Sequence, residues 1–325
     1  MVAAERVVDA HHHLWRLDRT PWLHGPPVAR IFGEHAALRR DYAIDDFAAD
    51  AVPAGVTASV HIQANVAPGE AVEEAVWAAE QGRRRDLVQA VVGFADLADP
   101  KVDAILDAMA EQAPLRGIRQ QLHWHTEPAF RFAPAPDVML RPEWQRGLRE
   151  VGRRGLLFEL QVFPSQYRDA LTMVDAFPDT RFVLLHAGMP ADASAEGRRA
   201  WRAGLAEIAR RTHVWVKLSG LGTFSRSCDV AGWRPIVEQT LDAFGPARCL
   251  FGSNFPIESL WTGYDNLLGV MRVCLDGLRP RRAPPGAGRN RDPALRAVAP
   301  TDSPIHPGGV AGPTRSGRPA TAGRR

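Results

Sequence analysis

The sequence predicts an α/β chain folded as a (β/α)8 barrel. Three observations lead there. Eight short apolar runs recur along the chain, amphipathic segments lie between them, and polar side chains collect at the ends of the runs. Alternating strand and helix patterns imply a parallel sheet, and eight is the number of strands that closes it. No G-x-G-x-x-G follows the first run, so the usual ligand signal of an open doubly wound sheet is missing. The 325 residues suffice for one large core, and barrels of this length run as single domains.

The predicted strands cover residues 7–13, 58–64, 88–94, 115–122, 156–162, 181–186, 214–219 and 249–253. Most are short and rich in Val, Leu, Ile or Phe, as strands buried on both faces should be. Helices are predicted over 69–82, 101–112, 142–154, 165–177, 196–211, 233–244 and 264–278. In the second of these Val102, Ile105, Leu106 and Met109 share one face. In the third, Pro142 sits at the first turn, and Gly155 is placed to end the helix. Residues 15–48, with Pro21, Gly25, Pro26 and Pro27 among aromatics, break the rhythm. They read as a long loop over the C-terminal face of the barrel, where such insertions shape a pocket.

Past Leu278 the composition changes. Residues 281–325 hold eight prolines, seven glycines and no Phe, Trp or Tyr. Such a segment cannot bury enough apolar surface to offset chain entropy, so 1–280 is expected to form the barrel and 281–325 a disordered tail. The tail carries nine arginines against Asp292 and Asp302, a net +7, and the remainder is −4. The whole-chain charge of +3 is therefore no argument for nucleic acid as a partner. Three cysteines without close spacing suggest reduced thiols in a cytoplasmic protein. No apolar stretch is long enough for a membrane span, and no signal peptide is evident. A homo-oligomer stays open.

The chemistry starts with Val7-Val8-Asp9-Ala10-His11-His12-His13-Leu14-Trp15. Strand alternation puts His11 and His13 on one face and His12 on the other, with Asp9 one pleat deeper on the His11 face. Two neutral imidazoles at that spacing can bind one divalent metal, zinc or manganese. A polar strand end with chance histidines is the alternative. His186 closes another apolar strand before Ala187-Gly188, a turn, and joins the candidate metal set. Further polar residues interrupt apolar strands: His61 and Gln63, Arg116 and Arg119, His123, Glu159 and Gln161, Lys217 and Ser219, and Asn254. Buried charges are costly unless paired, so their number points to a shared polar cavity. Arg and Lys there suit a carboxylate-bearing or oxygen-rich small molecule. Trp15, at the head of the long loop, is a further candidate substrate contact.

The stretches DAHHHLW, VHIQAN, LRGIRQQLH, FELQVFP, FVLLHAG, VWVKLSG and LFGSNFPIESL, taken in order, resemble the strand ends of the amidohydrolase-related TIM-barrel hydrolases. More narrowly they resemble the lactonase branch, which includes L-fuconolactonase, L-rhamnonolactonase, sulfomuconolactone hydrolase and pyrone-dicarboxylate lactonase. The resemblance spans about residues 7–278. It implies a TIM barrel that opens a lactone, a sugar-acid or aromatic-degradation intermediate, by attack of water. It assigns His11, His13 and His186 to a divalent metal and makes His186, Asn254, Arg119 and His61 the catalytic candidates. Arg116, Gln63, His123, Gln161, Lys217 and Trp15 would contact substrate.

Two positions depart from the family pattern. Asn254 stands where relatives often have the aspartate that activates water, and an amide cannot take up a proton at neutral pH. Leu185 replaces a polar residue before His-Ala-Gly. The branch also includes members that look metal-independent, in which histidines and arginines would stabilise the oxyanion. The family's usual further helix is absent after Leu278, which suggests a shifted reading frame near residues 279–282. Two other functions compete: a non-oxidative decarboxylase on the same barrel, and a catalytically impaired relative that only binds its ligand.

Overall fold

The computed structural model describes residues 6–67 and 69–276. Eight parallel strands form one sheet in the order β1 to β8, a barrel with helices around it. The strands are β1 (Val7–His12), β2 (Val56–Ile62), β3 (Val88–Gly93), β4 (Leu115–Ile118), β5 (Leu157–Leu160), β6 (Phe182–Leu184), β7 (Val214–Leu218) and β8 (Cys249–Phe251). The ends are drawn together at the mouth, where Asn254 N–H donates to the His11 carbonyl and His13 N–H to the Phe255 carbonyl, both at 2.7 Å. Among the described residues no helix is long and apolar enough to cross a membrane.

Two short helices, α1 (Pro21–His24) and α2 (Ile44–Ala51), lie within the long β1–β2 connection. That segment is pinned by pairing of Trp15 with Tyr42. The outer layer continues with α3 (Ala71–Arg85), α4 (Val102–Gln112), α5 (Pro142–Arg153), α6 (Tyr167–Ala176), α7 (Ala195–Ala209), α8 (Gly222–Ser225), α9 (Val230–Phe244) and α10 (Tyr264–Leu275). Local chemistry sets several ends. Pro142 starts α5, and Gly155 follows it at φ +68. The Ser194 side chain caps α7, and Asp229 caps α9, extending that helix three residues ahead of its predicted start.

The strands are shorter than expected at their C-terminal ends. Ladder pairing stops at Ile118 in β4, at Leu184 in β6 and at Phe251 in β8. The residues beyond turn into the mouth. The predicted 281–325 tail and the reading-frame shift lie outside the described residues.

Most of the core packs between strands and helices, with Trp144, Phe158 and Phe182 in edge-to-face series. A smaller cluster of Ala10, Leu157, Val183 and Leu250 fills the barrel interior, with Trp215 against it. Above it Lys217 Nζ is bonded to Glu159 Oε1, and both are buried. The polar floor of the mouth therefore rests on an ion pair seated over an apolar plug.

Candidate active site

The first strand does not alternate as its sequence suggests. Ala10 points into the lumen with Leu157 and Val183, yet His11 also lies inside, its ring 5.1 Å from that of His13 and 5.0 Å from that of His186. The β1–β2 register breaks between Asp9 and His12, and the bulge turns consecutive side chains inward. Asp9 consequently leaves the His11 face. It reaches α10, accepting from the Tyr264 hydroxyl at 2.8 Å and from Ser253 Oγ at 2.5 Å. His12 faces outward, stacked on Phe47 with ring centroids 3.8 Å apart.

At the end of β6 the backbone makes an unusual turn. His186, Ala187, Gly188 and Met189 all have φ between +51 and +73. Left-handed conformations cost about 1–2 kcal/mol for each residue with a Cβ, so tertiary packing holds this turn. His186 Nδ1 lies 3.0 Å from Ser219 Oγ, and Gly220, at φ +59, lets the β7 loop pass against the ring. Asn254 also sits at positive φ, +58, which asparagine tolerates.

These elements surround a cavity of about 90 Å³ that opens to solvent at the mouth. His13, His186, Arg119, Gln121, His123, Gln161, Asn254 and Trp15 all line it, as do residues the sequence did not single out: Trp22, Arg30, Phe32, Arg131 and Phe132. Arg30 and Arg131 belong to loops without periodicity, so the only sequence signal was a basic residue among aromatics. Among the described residues no carboxylate lines this cavity.

The remaining candidates stand elsewhere. His11 lies beneath the wall. His61 points outward, Nε2 toward Glu74 of α3 at 3.8 Å, while its Nδ1 accepts from Leu14 N–H. Gln63 is held by its own turn, Oε1 accepting from Asn65 N–H, and its carbonyl accepts from Arg119 Nη2 at 2.5 Å. Gln63 thus positions Arg119 and does not reach the cavity itself. Arg116 is exposed beside the lower lumen, and Lys217 lies in the lumen paired with Glu159. Alternation identified polar positions on strands but not their depth. Two buried acids were missed altogether: Glu74, and Glu258, which accepts from Thr223 Oγ1 at 3.3 Å and is pushed up to about 8 by burial.

Electrostatics keep the histidines neutral. Burial and then Arg119 and Lys217 bring His186 down to about 3. Burial, Arg119 and Arg30 do the same to His123. His13 is lowered chiefly by burial, then by Arg119, and its Nδ1 donates to the Ile62 carbonyl at 2.8 Å, leaving the Nε2 lone pair free. Arg119 is reduced to about 10 by burial and stays charged at neutral pH.

Neutral imidazoles are what a metal requires, and neither ring nitrogen of His11 has a partner. Yet among the described residues no group of three or more His, Cys, Asp or Glu side chains is arranged to hold a metal ion. Asn254 supplies a neutral amide to the cavity, and Arg119 brings positive charge to the same wall. The side chains as placed do not make a metal set.

A family model described as amidohydrolase matches residues 8–281. The chain is 34% identical over 270 residues to the uncharacterized protein y4mH of Sinorhizobium fredii, covering 82% of this chain and 90% of that one. It is 30% identical over 278 residues to an L-fucono-1,5-lactonase of Burkholderia multivorans, covering 81% and 86%. Among solved structures, an amidohydrolase from Burkholderia multivorans crystallised with bound zinc superposes with a TM-score of 0.70. The two share 26% identity, over 84% of this chain and 93% of that one.

Proposed function

This chain belongs to the amidohydrolase family, and on that premise we propose that it is a hydrolase opening a small lactone by attack of water. The L-fucono-1,5-lactonase relative supports the bond type. One observation carries the reading: Arg119, which makes no ion pair among the described residues, shares a cavity wall with the neutral imidazoles of His13 and His186. A guanidinium beside the lactone carbonyl stabilises the oxyanion that forms when water adds. An imidazole lone pair takes the proton that water gives up, and the same proton passes to the ring oxygen as its bond to the carbonyl carbon breaks. The product is a hydroxy acid.

The depressed basicity of His186 fits this cycle once substrate is bound. Burial is the main cause of that depression; negative charge beside Arg119 offsets the repulsion from Arg119 and Lys217 that adds to it, so basicity rises when there is a proton to take. Asn254 accepts a hydrogen bond from the attacking water without taking its proton.

Purified protein is assayed against sugar-acid and carboxylated lactones by acid release, with and without chelator, alongside metal analysis. Turnover that His186→Ala abolishes supports the hydrolase. Release of carbon dioxide from small aromatic acids, with every lactone inert, would replace it with decarboxylation. No turnover in wild type together with clear turnover by Asn254→Asp would make the chain a ligand binder. Loss of activity with chelator, restored by zinc or manganese, would bring His11, His13 and His186 back as metal ligands.

A further inference from the structure

Arg119 does not stand alone. Arg30, on the long β1–β2 connection, lines the same cavity from its lip, 5.5 Å from the Trp22 ring centroid and 5.8 Å from that of Phe132 on the opposite loop. Among the described residues its side chain makes no ion pair, and its buried Nε has no hydrogen-bond partner. The Nε of Arg119 is likewise unpartnered. A third guanidinium in the wall, Arg131, is already engaged by the His125 and Thr126 carbonyls. Two forks, that of buried Arg119 and that of half-buried Arg30, thus remain incompletely bonded in a cavity with no acid in its lining among the described residues, and both act on His123.

An unpaired buried guanidinium is costly, and two facing one cavity cost more through mutual repulsion. The aromatic rings offset part of this for Arg30. A planar ligand anion satisfies such a fork with two parallel hydrogen bonds.

We propose that Arg30 is a specificity-determining residue that binds a carboxylate the lactone already carries, while Arg119 serves the carbonyl and then the carboxylate released from it. This rests on the lactone-hydrolase reading for the reaction, and the product is a dicarboxylate that spans the two guanidinium groups. Neutral sugar lactones leave Arg30 without its partner and are poor substrates.

The test is binding without turnover. Adipate, hexanoate and inorganic phosphate are titrated calorimetrically into the full chain at low ionic strength. Adipate is expected to bind at least about tenfold more tightly than hexanoate, the size expected of one charge-assisted pair. Arg30→Gln should bring the two acids within about threefold while leaving hexanoate unchanged, and Arg30→Lys should retain part of the difference. Should Arg30→Gln fold poorly, the wild-type preference for adipate must still shrink as salt is raised, because it is electrostatic.

Equal binding of the two acids, or an unchanged ratio in a folded Arg30→Gln, overturns the proposal. Phosphate binding more tightly than adipate overturns the carboxylate assignment. A protein that prefers adipate but opens no lactone sinks the hydrolase reading and leaves the two-anion site standing. One that opens neutral lactones as fast as carboxylated ones sinks the site and leaves the hydrolase.

Discussion

The Tyr264 hydroxyl donates a 2.8 Å hydrogen bond to Asp9 Oδ2 across 255 positions of sequence. The same carboxylate accepts from His11 N–H and from both the backbone and side chain of Ser253. It therefore fixes the bulge that turns His11 inward and the turn that presents Asn254. Tyr264→Phe removes one of four donors from a buried carboxylate and should cost about 1–3 kcal/mol. Urea denaturation with and without the substitution measures it, and an unchanged midpoint would show that the bond contributes nothing.

Gly220 passes so near His186 that a Cβ there would sit 2.5 Å from Nδ1, and its φ of +59 disfavours a side chain as well. Gly220→Ala should cost about 1–3 kcal/mol through overpacking and strain. By displacing the imidazole it should also lower kcat more than it raises KM. A variant with wild-type kcat would show that the ring position is immaterial.

Glu258 links stability to pH. Its folded value, about 8, lies above the ordinary 4.5 because burial disfavours the charged form. Its contribution is thus fully present below about 4.5 and is lost as pH rises through about 8, where the buried group must ionise. Wild type should lose stability on the order of a few kcal/mol across that interval. In Glu258→Gln that slope should flatten, as followed by denaturation at a series of pH values. A slope as steep as that of wild type would assign the effect to another group.

Lys217 and Glu159 form a buried ion pair above the lumen plug. Lys217→Met alone strands the carboxylate and should cost about 3–5 kcal/mol, whereas adding Glu159→Leu should recover most of that loss. A double-mutant cycle read by thermal and urea unfolding distinguishes the two cases. If the double variant is no better than the single one, the pair is not what the lumen depends on.

His123 offers a prediction about the cavity's field. Arg119 and Arg30 add to the burial that holds its imidazole at about 3. Replacing Arg30 by Gln should raise the His123 value, read by NMR titration of the ring protons, and an unmoved titration would place Arg30 out of its reach.

The sequence by itself determined the barrel. Apolar runs such as Phe182-Val183-Leu184 and the helical faces between them are local patterns with their own periods, and they carry the fold class directly. It also marked His186 and Arg119, because polar side chains at the ends of apolar strands are conspicuous. What it could not supply was depth and pairing. Period-two alternation placed Asp9 with His11, and a bulge set by contacts with Ser253 and Tyr264 separated them. His61 and Lys217, like His186, were polar residues on apolar strands, and the linear pattern did not say where each would point. Their partners, Glu74 and Glu159, drew one outward and held the other deep in the lumen. Arg30 gave no strand signal at all, and only the folding of its loop over the mouth brought it opposite Phe132. Local periodicity is written in neighbouring residues, whereas the destination of a polar side chain depends on which distant group satisfies it.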